Sequence, residues 1–210
     1  MTEIYQISPR DDYEWQIITG ENLMLRYAEI FSKSMSEFIL TRLEEQIEYY
    51  DRNLSKVCVY GKWHEIPRKH VAFSDDGLSY EFSGNRIPSK PWQTSPIVFE
   101  LKKCVESIVG HRYNFVLVNR YENGLDHIGE HRDDEKELDP AASIASLSFG
   151  AARDFVLKHA YGGGKKKIEL RPGSLLLMEF PTNKFWYHSL PVRKKVSGKR
   201  INLTFRKMIV

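Results

Sequence analysis

Apolar residues repeat at helical spacing twice in the first half of the chain. The first stripe follows Ser34 and Glu37, which have the spacing of a capping box at a helix start. The second stripe follows Ser95 as N-cap and Pro96 in the first turn, and Gly110 is placed to end it. We therefore predict two helices. Their apolar stripes are Met35, Phe38, Ile39, Leu43, Ile47 and Tyr50, and then Ile97, Val98, Leu101, Val105, Ile108 and Val109.

After Gly110 the pattern changes to short strands separated by Gly, Pro and Asn. The predicted strands cover residues 113–121, 144–149, 153–158, 167–170, 174–179, 186–190 and 200–207. Residues 23–30 predict one earlier strand, and residues 1–22 are polar enough to be partly disordered. Two helices followed by many strands favour an α+β, mainly β fold. We expect helices packed on an antiparallel double-sheet barrel of the jelly-roll type.

Composition limits the class of protein. The 210 residues fit one domain, and 41% hydrophobic with 28% charged residues is typical of a soluble globular chain. We see no membrane span and no signal peptide in the sequence. Cys58 and Cys104 form no C-x-x-C pair, which predicts a reducing compartment without a disulfide framework.

The net charge of +3 is unevenly distributed. Residues 151–210 contain 14 Lys or Arg and 3 Asp or Glu, a net charge of +11, so the rest of the chain carries −8. A basic C-terminal part indicates a polyanionic partner such as nucleic acid. On charge alone, a solvated surface balanced by the acidic part is the simpler interpretation.

One short motif has metal-ligand chemistry. In His131-Arg132-Asp133, an imidazole and a carboxylate point to the same side of an extended segment. A second histidine would complete the face of two histidines and one carboxylate that holds iron(II) and leaves positions open. His188 is the best candidate, on a later predicted strand, and His127 could compete. Chance His–Asp pairs are common, so the motif alone does not establish a site.

The last predicted strand alternates strictly between polar and apolar residues. Arg200, Asn202, Thr204 and Arg206 share one face, opposite a purely apolar face. Inside a barrel, two arginines need an anionic ligand because an unpaired buried charge is costly. A dicarboxylate such as 2-oxoglutarate fits, since Arg binds carboxylates bidentately. Asn119 and Tyr121 form a second alternating pair that could line the same pocket, and an exposed strand face is the alternative.

Together these residues resemble the AlkB family of nucleic-acid dealkylating dioxygenases, and within it the eukaryotic members that repair alkylated bases in double-stranded DNA. The resemblance extends from about residue 57 to the C-terminus. Its motifs are N-R-Y (119–121), H-R-D (131–133), His188 and R-x-N-x-T-x-R (200–206). Supporting segments are GKWHEIPRK (61–69), NFVLVNRY (114–121), DHIGEHRDDE (126–135) and WYHSLPVRKK (186–195).

The resemblance implies a double-stranded β-helix and a defined reaction. Iron(II) would be held by His131, Asp133 and His188, which would be both metal ligands and catalytic residues. With O2, 2-oxoglutarate would be decarboxylated to succinate while the N-alkyl carbon of 1-methyladenine or 3-methylcytosine is hydroxylated and lost as formaldehyde. The implied 2-oxoglutarate site is Asn119, Tyr121, Arg200, Asn202, Thr204 and Arg206.

The resemblance also implies how a paired base is reached. Extruding it from a duplex costs a few kcal/mol, and a wedge at Val59, Tyr60, Gly61 and Lys62 would fill the gap, with Tyr60 where relatives have Phe. The flipped base would contact Tyr80, Phe82, Asp134 and Glu135, with the Glu135 carboxylate accepting from the exocyclic amine. Phosphates would meet the basic residues Arg68, Lys158, Lys165, Lys166, Lys167, Arg193, Lys194 and Lys195.

The expected organisation is one structural domain in three segments. Residues 1–56 would form an N-terminal segment and helix, residues 57–112 a nucleotide-recognition segment with a supporting helix, and residues 113–210 the catalytic core. We expect a nuclear monomer acting on double-stranded DNA. The alternatives are the same chemistry on single-stranded DNA or RNA, a dioxygenase of proteins or small molecules, and a non-catalytic nucleic-acid-binding module.

Overall fold

A computed structural model describes residues 6–51, 54, 56–59, 62–75, 78–82, 85–133 and 135–209 of the chain. Within these ranges no helix is both long and apolar enough to cross a membrane. The strands are β1 (Gln16–Gly20), β2 (Leu23–Glu29), β3 (Lys56–Val59), β4 (Lys62–Glu65), β5 (Lys69–Ser74), β6 (Ser79–Phe82), β7 (Asn85–Pro88), β8 (Lys90–Pro91), β9 (Phe115–Tyr121), β10 (Ile128–His131), β11 (Ile144–Gly150), β12 (Arg153–His159), β13 (Lys165–Leu170), β14 (Ser174–Met178), β15 (Trp186–Leu190) and β16 (Arg200–Arg206). The α-helices are α1 (Lys33–Gln46), α2 (Pro96–Val109) and α3 (Thr182–Phe185).

Two antiparallel sheets face each other and form the jelly-roll core. The large sheet has the spatial order β1-β2-β14-β11-β16-β9-β5-β8, and the small sheet has the order β10-β15-β12-β13. Apart from the short parallel pairing of β5 with β8, every pairing in these sheets is antiparallel. Two separate hairpins, β3–β4 and β6–β7, lie between α1 and α2 in the chain.

Both predicted helices are present, but the first has a different cap and ends at Gln46, before the Ile47 and Tyr50 of its predicted stripe. Ser32 has extended backbone dihedral angles, and its side chain accepts a hydrogen bond from the amide of Met35 at 3.2 Å. The prediction that Ser34 caps α1 is therefore wrong, because Ser34 already lies in the first turn. Helix α2 begins at Pro96 and ends before Gly110, whose φ of 85° is favourable only for glycine.

All seven strands predicted after Gly110 are confirmed, each within two residues at either end. Within the polar segment 1–22, Gln16–Gly20 forms β1 and pairs with β2, a strand that the sequence did not predict. This edge strand is exposed along most of its length, so its sequence shows no apolar alternation.

The two faces of β16 have different surroundings. Ile201, Leu203 and Phe205 belong to the core cluster that also contains Ile39 of α1 and Leu101 of α2. The polar face of β16 therefore turns away from the helices, toward the space between the sheets. A second apolar cluster, with Phe155, Leu157 and Leu176, fills another part of that space. The strand alternation thus directs two buried arginines into the barrel.

His70 on β5 is buried, and its ring nitrogens lack hydrogen bonds to the described residues. It lies opposite Asn119 in the β5–β9 register, and its ring packs edge-on against Tyr50. Burial, and then the positive charge of Arg68, lowers the pKa of His70 to about 4.

The acid stability of the protein is expected to depend on His70. The unfolded chain takes up this proton near pH 6.5 and the folded chain only near pH 4, so the free energy of unfolding falls as pH drops through that window. The fall is about 3 kcal/mol from this residue. Urea unfolding of the iron-free protein, measured near pH 6.5 and near pH 4, gives the free energy of unfolding at each pH. This free energy should fall less between the two pH values in His70→Gln than in the native protein. The matched control is His64→Gln at an exposed histidine, and equal dependence in His70→Gln and native protein would contradict the assignment.

Candidate active site

Two histidines and one aspartate converge at the β10 edge of the small sheet. His131 at the end of β10 lies directly opposite His188 on β15, and their ring centroids are 4.2 Å apart. Asp133 follows two residues after His131, so the turn out of β10 brings its carboxylate to the same place. One ligand atom from each residue lies within 4.8 Å of the others. Asp133 and His188 are buried, and His131 is half-buried.

Hydrogen bonds orient two of the three ligands. His131 Nδ1 lies 2.9 Å from the carbonyl oxygen of Gly129, so the proton resides on Nδ1 and Nε2 offers its lone pair. His131 Nε2 is 3.8 Å from Asp133 Oδ1. The other carboxylate oxygen, Oδ2, is 2.9 Å from the guanidinium of Arg206, and the Asp133 amide donates to Asn183 Oδ1 at 3.1 Å. Asp133 Oδ1 and the two imidazoles are therefore directed at one point.

The electrostatic environment keeps His188 and Asp133 unprotonated. Burial is the main cause that lowers the pKa of His188, to about 3. Burial of Asp133 would raise its pKa, but the positive charge of Arg206 outweighs this and the pKa lies below its usual range. A neutral imidazole and an ionised carboxylate are the forms that bind a metal. The donor set, two nitrogens and one carboxylate, fits iron(II).

His127 does not join this group. Among the described residues, the cluster with ligand atoms in mutual reach contains only His131, Asp133 and His188. The ring of His127 instead lies 3.0 Å from the carbonyl oxygen of Leu125, in the loop before β10. The alternative ligand considered from the sequence is therefore not supported.

The six residues expected to hold 2-oxoglutarate line one cavity, which they share with the three metal ligands. They come from β9 and β16, which are neighbours in the large sheet, with Arg200 opposite Tyr121 and Asn202 opposite Asn119 in register. The members of this set are Asn119, Tyr121, Arg200, Asn202, Thr204 and Arg206, beside His131, Asp133 and His188.

Arg200 is a buried cation without a carboxylate partner in the described part of the chain. Its guanidinium donates to Ser148 Oγ at 3.0 Å and lies 5.2 Å from the ring centre of Tyr121, while its Nε has no hydrogen-bond partner there. Burial lowers the pKa of Arg200 to about 10, so it stays protonated at neutral pH. A buried guanidinium with an open donor fits one carboxylate of a dicarboxylate ligand.

Comparison with known proteins agrees with this geometry. The family model of the 2OG-Fe(II) oxygenase superfamily matches residues 24–206. The human "DNA oxidative demethylase ALKBH2" is 48% identical over 204 residues, covering 93% of this chain and 77% of that protein. The human "Alpha-ketoglutarate-dependent dioxygenase alkB homolog 3" is 30% identical over 199 residues, covering 90% and 67%.

The chain belongs to the AlkB family of 2OG-Fe(II) oxygenases. An Arabidopsis thaliana relative, also named DNA oxidative demethylase ALKBH2, is 35% identical and covers 76% of this chain and 60% of its own length. The solved structure of OsALKBH1 has a TM-score of 0.56 at 17% identity, with 92% of this chain and 100% of that chain covered, and supports the fold alone. The jelly-roll expectation is confirmed, and this AlkB-family enzyme uses Fe(II), 2-oxoglutarate and O2.

A larger cavity of about 240 Å³ adjoins the metal ligands. Asp133 and Arg206 line both cavities, and Glu135 lines only the larger one. Glu135 therefore shares the larger cavity with the ligand Asp133, and its role as a base-reading carboxylate stays a prediction. Asp134 lies outside the described residues.

The expected wedge and stacking residues lie on the two separate hairpins. Val59 and Lys62 are paired across β3 and β4, while Tyr60 and Gly61 lie outside the described residues. Tyr80 and Phe82 alternate along β6, which pairs with β7. Their contact with a flipped base stays a prediction.

Arg68 lies inside the protein, whereas a residue that contacts a DNA phosphate has to lie on the surface. Its side chain is buried, and its Nε donates to Asn119 Oδ1 at 2.8 Å inside the cofactor cavity. The expectation of a backbone contact at Arg68 is therefore wrong, because pairing of β5 with β9 carries this residue inward. The other cations reach the surface: Lys158 pairs with Glu130, Lys167 and Arg193 pair with Asp154, and Lys165, Lys166, Lys194 and Lys195 are exposed.

Three polar residues at the site were not predicted. Ser146 and Ser148 on β11 accept hydrogen bonds from Asn202 and Arg200, respectively. The side-chain oxygen of Asn183 accepts a hydrogen bond from the backbone amide of Asp133. A signal for the serines exists in the sequence, because Ser146 and Ser148 alternate with Leu147 and Phe149. However, the serines reach the arginine face only because β11 pairs with β16, and local spacing does not predict pairing between strands so far apart in the chain.

Proposed function

We propose that this AlkB-family enzyme removes N-alkyl groups from bases such as 1-methyladenine and 3-methylcytosine in duplex DNA, by oxidation after base flipping. The observation that carries the proposal is the shared cavity, in which two histidines and an aspartate adjoin a buried arginine without a carboxylate partner among the described residues. The relatives named DNA oxidative demethylase support the choice of DNA as substrate.

The residues have distinct tasks in this proposal. His131, Asp133 and His188 hold the iron, which when bound supplies oxidation of the alkyl carbon coupled to decarboxylation of 2-oxoglutarate. Arg200 binds one carboxylate of 2-oxoglutarate, and Asn119, Tyr121, Asn202, Thr204 and Arg206 complete the pocket. Arg206 also holds Asp133 in place through its 2.9 Å contact. Deep burial of these groups limits access of water to the reaction.

Residues 57–112 supply nucleotide recognition in the proposal. The tip of β3–β4, with Val59, Tyr60, Gly61 and Lys62, fills the gap left by the extruded base. Tyr80, Phe82, Asp134 and Glu135 surround the base itself. Residues 1–56 support the core, residues 113–210 form the catalytic part, and exposed lysines contact phosphates. We further propose that the enzyme works as a monomer in the nucleus.

The proposal is tested with a duplex oligonucleotide that contains one 1-methyladenine. Native protein with iron(II) and 2-oxoglutarate is expected to restore adenine and form succinate in equal amounts, as measured by mass spectrometry. His131→Ala should form neither product. Succinate without repair of the duplex would reject that substrate, and the matched single-stranded oligonucleotide would then test the alternative. Absence of both products from folded, iron-loaded native protein would favour the binding module.

A further inference from the structure

Asp133 lies beyond the strand that holds the neighbouring ligand. His131 ends β10 and pairs with His188 on β15. Continuing this register by two residues would place Asp133 opposite Trp186, but the Trp186 amide donates to the carbonyl oxygen of Thr182 and closes helix α3. The hydrogen-bonded ladder therefore stops before Asp133, although this residue is only 3% exposed.

The side chain of Asn183 takes the place of a strand partner for Asp133. Its Oδ1 accepts a hydrogen bond from the Asp133 amide at 3.1 Å, and its Nδ2 donates to the Asp133 carbonyl oxygen. A carboxamide has an acceptor and a donor on one short fork, so it can bind both polar groups of a backbone residue. Buried backbone groups need such partners, because an unpaired one costs about as much as a lost hydrogen bond.

Helix α3 is fixed on both sides of Asn183. The hydroxyl of the buried Thr182 accepts a hydrogen bond from the amide of Met24 at 2.8 Å and donates to the carbonyl oxygen of Met24 at 2.9 Å. The carbonyl oxygen of Lys184 accepts from the Arg132 guanidinium at 2.9 Å. Three consecutive residues of α3 therefore connect β2 to the segment that follows β10.

Arg206 and Asn183 act on different atoms of the third ligand. Arg206 contacts the carboxylate oxygen Oδ2 of Asp133 at 2.9 Å, which restricts rotation of the side chain. Asn183 contacts the backbone of Asp133, which determines where that side chain starts. Metal sites need ligand distances within about 0.2 Å of the preferred values, so a small shift of the backbone is enough to weaken a site.

We propose that Asn183 is a positioning residue for iron, which holds the Asp133 backbone so that the carboxylate faces the same point as His131 and His188. The inference rests on the proposed function for the assignment of Asp133 as an iron ligand. It gives α3 a task at the metal site, although none of the three metal ligands lies on this helix. Partners that orient metal ligands typically contribute about 10–100-fold to metal affinity.

Anaerobic titration of the iron-free full chain with iron(II) tests this proposal. Asn183→Ala is expected to weaken iron binding about 10–100-fold. Asn183→Ser should have the same effect, because its hydroxyl oxygen would take the place of Cγ and lie one bond short of both contacts. The visible absorption of bound cobalt(II) reports the geometry of the ligands, and it should change in both variants.

Asn114→Ala is the matched control. The Asn114 side chain also binds both polar groups of one backbone residue, because it donates to the Met208 carbonyl oxygen at 2.9 Å and accepts from the Met208 amide at 2.6 Å. Both asparagines are half-buried, but Met208 is not a metal ligand. Asn114→Ala should therefore lose stability toward urea as Asn183→Ala does, yet keep the native iron affinity and the native cobalt spectrum.

Native iron affinity with a native cobalt spectrum in Asn183→Ala and Asn183→Ser would overturn the inference. An equal loss of iron affinity in Asn114→Ala would also overturn it, since the cause would then be a general loss of stability. If Asn183→Ala does not fold, Asn183→Ser alone decides between these outcomes.

Asp133→Ala, titrated alongside, separates this inference from the proposed function. Native iron affinity in Asp133→Ala would reject the ligand assignment on which the proposed function depends. Loss of iron affinity in Asp133→Ala, with native affinity in both Asn183 variants, would reject the positioning role alone.

Discussion

Asp133→Ala is expected to abolish turnover and to weaken iron(II) binding more than ~100-fold, since even residues that only orient metal ligands contribute 10–100-fold. The carboxylate has two partners at once. Its Oδ1 faces the point where His131 and His188 converge, and its Oδ2 is 2.9 Å from the Arg206 guanidinium. Removing it therefore deletes the only anionic ligand of the cluster and takes the carboxylate partner away from the buried Arg206 guanidinium.

Asp133→Ala is also expected to lower the stability of the iron-free protein. Breaking a buried ion pair by deleting one partner costs about 3–5 kcal/mol. Asp133→Asn keeps the volume and an amide oxygen that can still face Arg206, so it should be less destabilised while still binding iron weakly. Calorimetric titration with iron(II) under anaerobic conditions gives the affinity, and urea unfolding of the iron-free chain gives the stability.

Glu169→Gln is the matched control for the aspartate variants. This carboxylate pairs with Arg171 at 2.8 Å on the exposed side of β13 and has no contact with the cluster. Its variant should bind iron and turn over like the native enzyme, and its stability should change by less than about 1 kcal/mol. Iron affinity of Asp133→Asn within tenfold of native would rule out Asp133 as a ligand.

Most of the correct predictions of strand limits and side-chain direction came from the alternation of polar and apolar residues. Side-chain direction in a strand is a local property, so the polar face of Arg200 to Arg206 and the strand limits follow from spacing. The spacing left open whether this face turns inward or outward, because that depends on whether helices cover the apolar face. The packing of Ile201 and Leu203 in the cluster that contains Ile39 and Leu101 shows that they do.

Long-range pairing explains the errors. Arg68 follows a proline in a basic segment and reads as a surface residue, but its burial depends on Asn119, 51 positions later in the chain. The proximity of His131 and His188 depends in the same way on pairing of β10 with β15, so the family resemblance indicated it and spacing did not. The α1 cap failed for a local reason, because Ser32 and Ser34 are equally good cap residues and only backbone geometry selects Ser32.

Arg200→Met is expected to raise the KM for 2-oxoglutarate about 100-fold or more, while iron affinity stays within a few-fold of native. Truncating one partner of a buried, hydrogen-bonded charge pair costs about 2–5 kcal/mol. The native guanidinium is fully buried, with Ser148 and the Tyr121 ring as its contacts. Arg200→Lys should recover only part of the loss, because an ammonium group cannot bind a carboxylate bidentately. Succinate formation at varied 2-oxoglutarate concentration gives KM and kcat separately.

Stability without ligand distinguishes a binding residue from a structural one. Burial of Arg200 without a carboxylate partner among the described residues is unfavourable, so Arg200→Met should leave the ligand-free protein as stable as native or more stable. Arg153 is the matched control, since it is equally buried beside Tyr121 but donates to the backbone carbonyls of Asn123, Asp126 and Pro191. Arg153→Met should lose stability because these acceptors lose their donor. If Arg200→Met is strongly destabilised and its KM for 2-oxoglutarate is native, Arg200 is a structural residue and the cosubstrate carboxylate binds elsewhere.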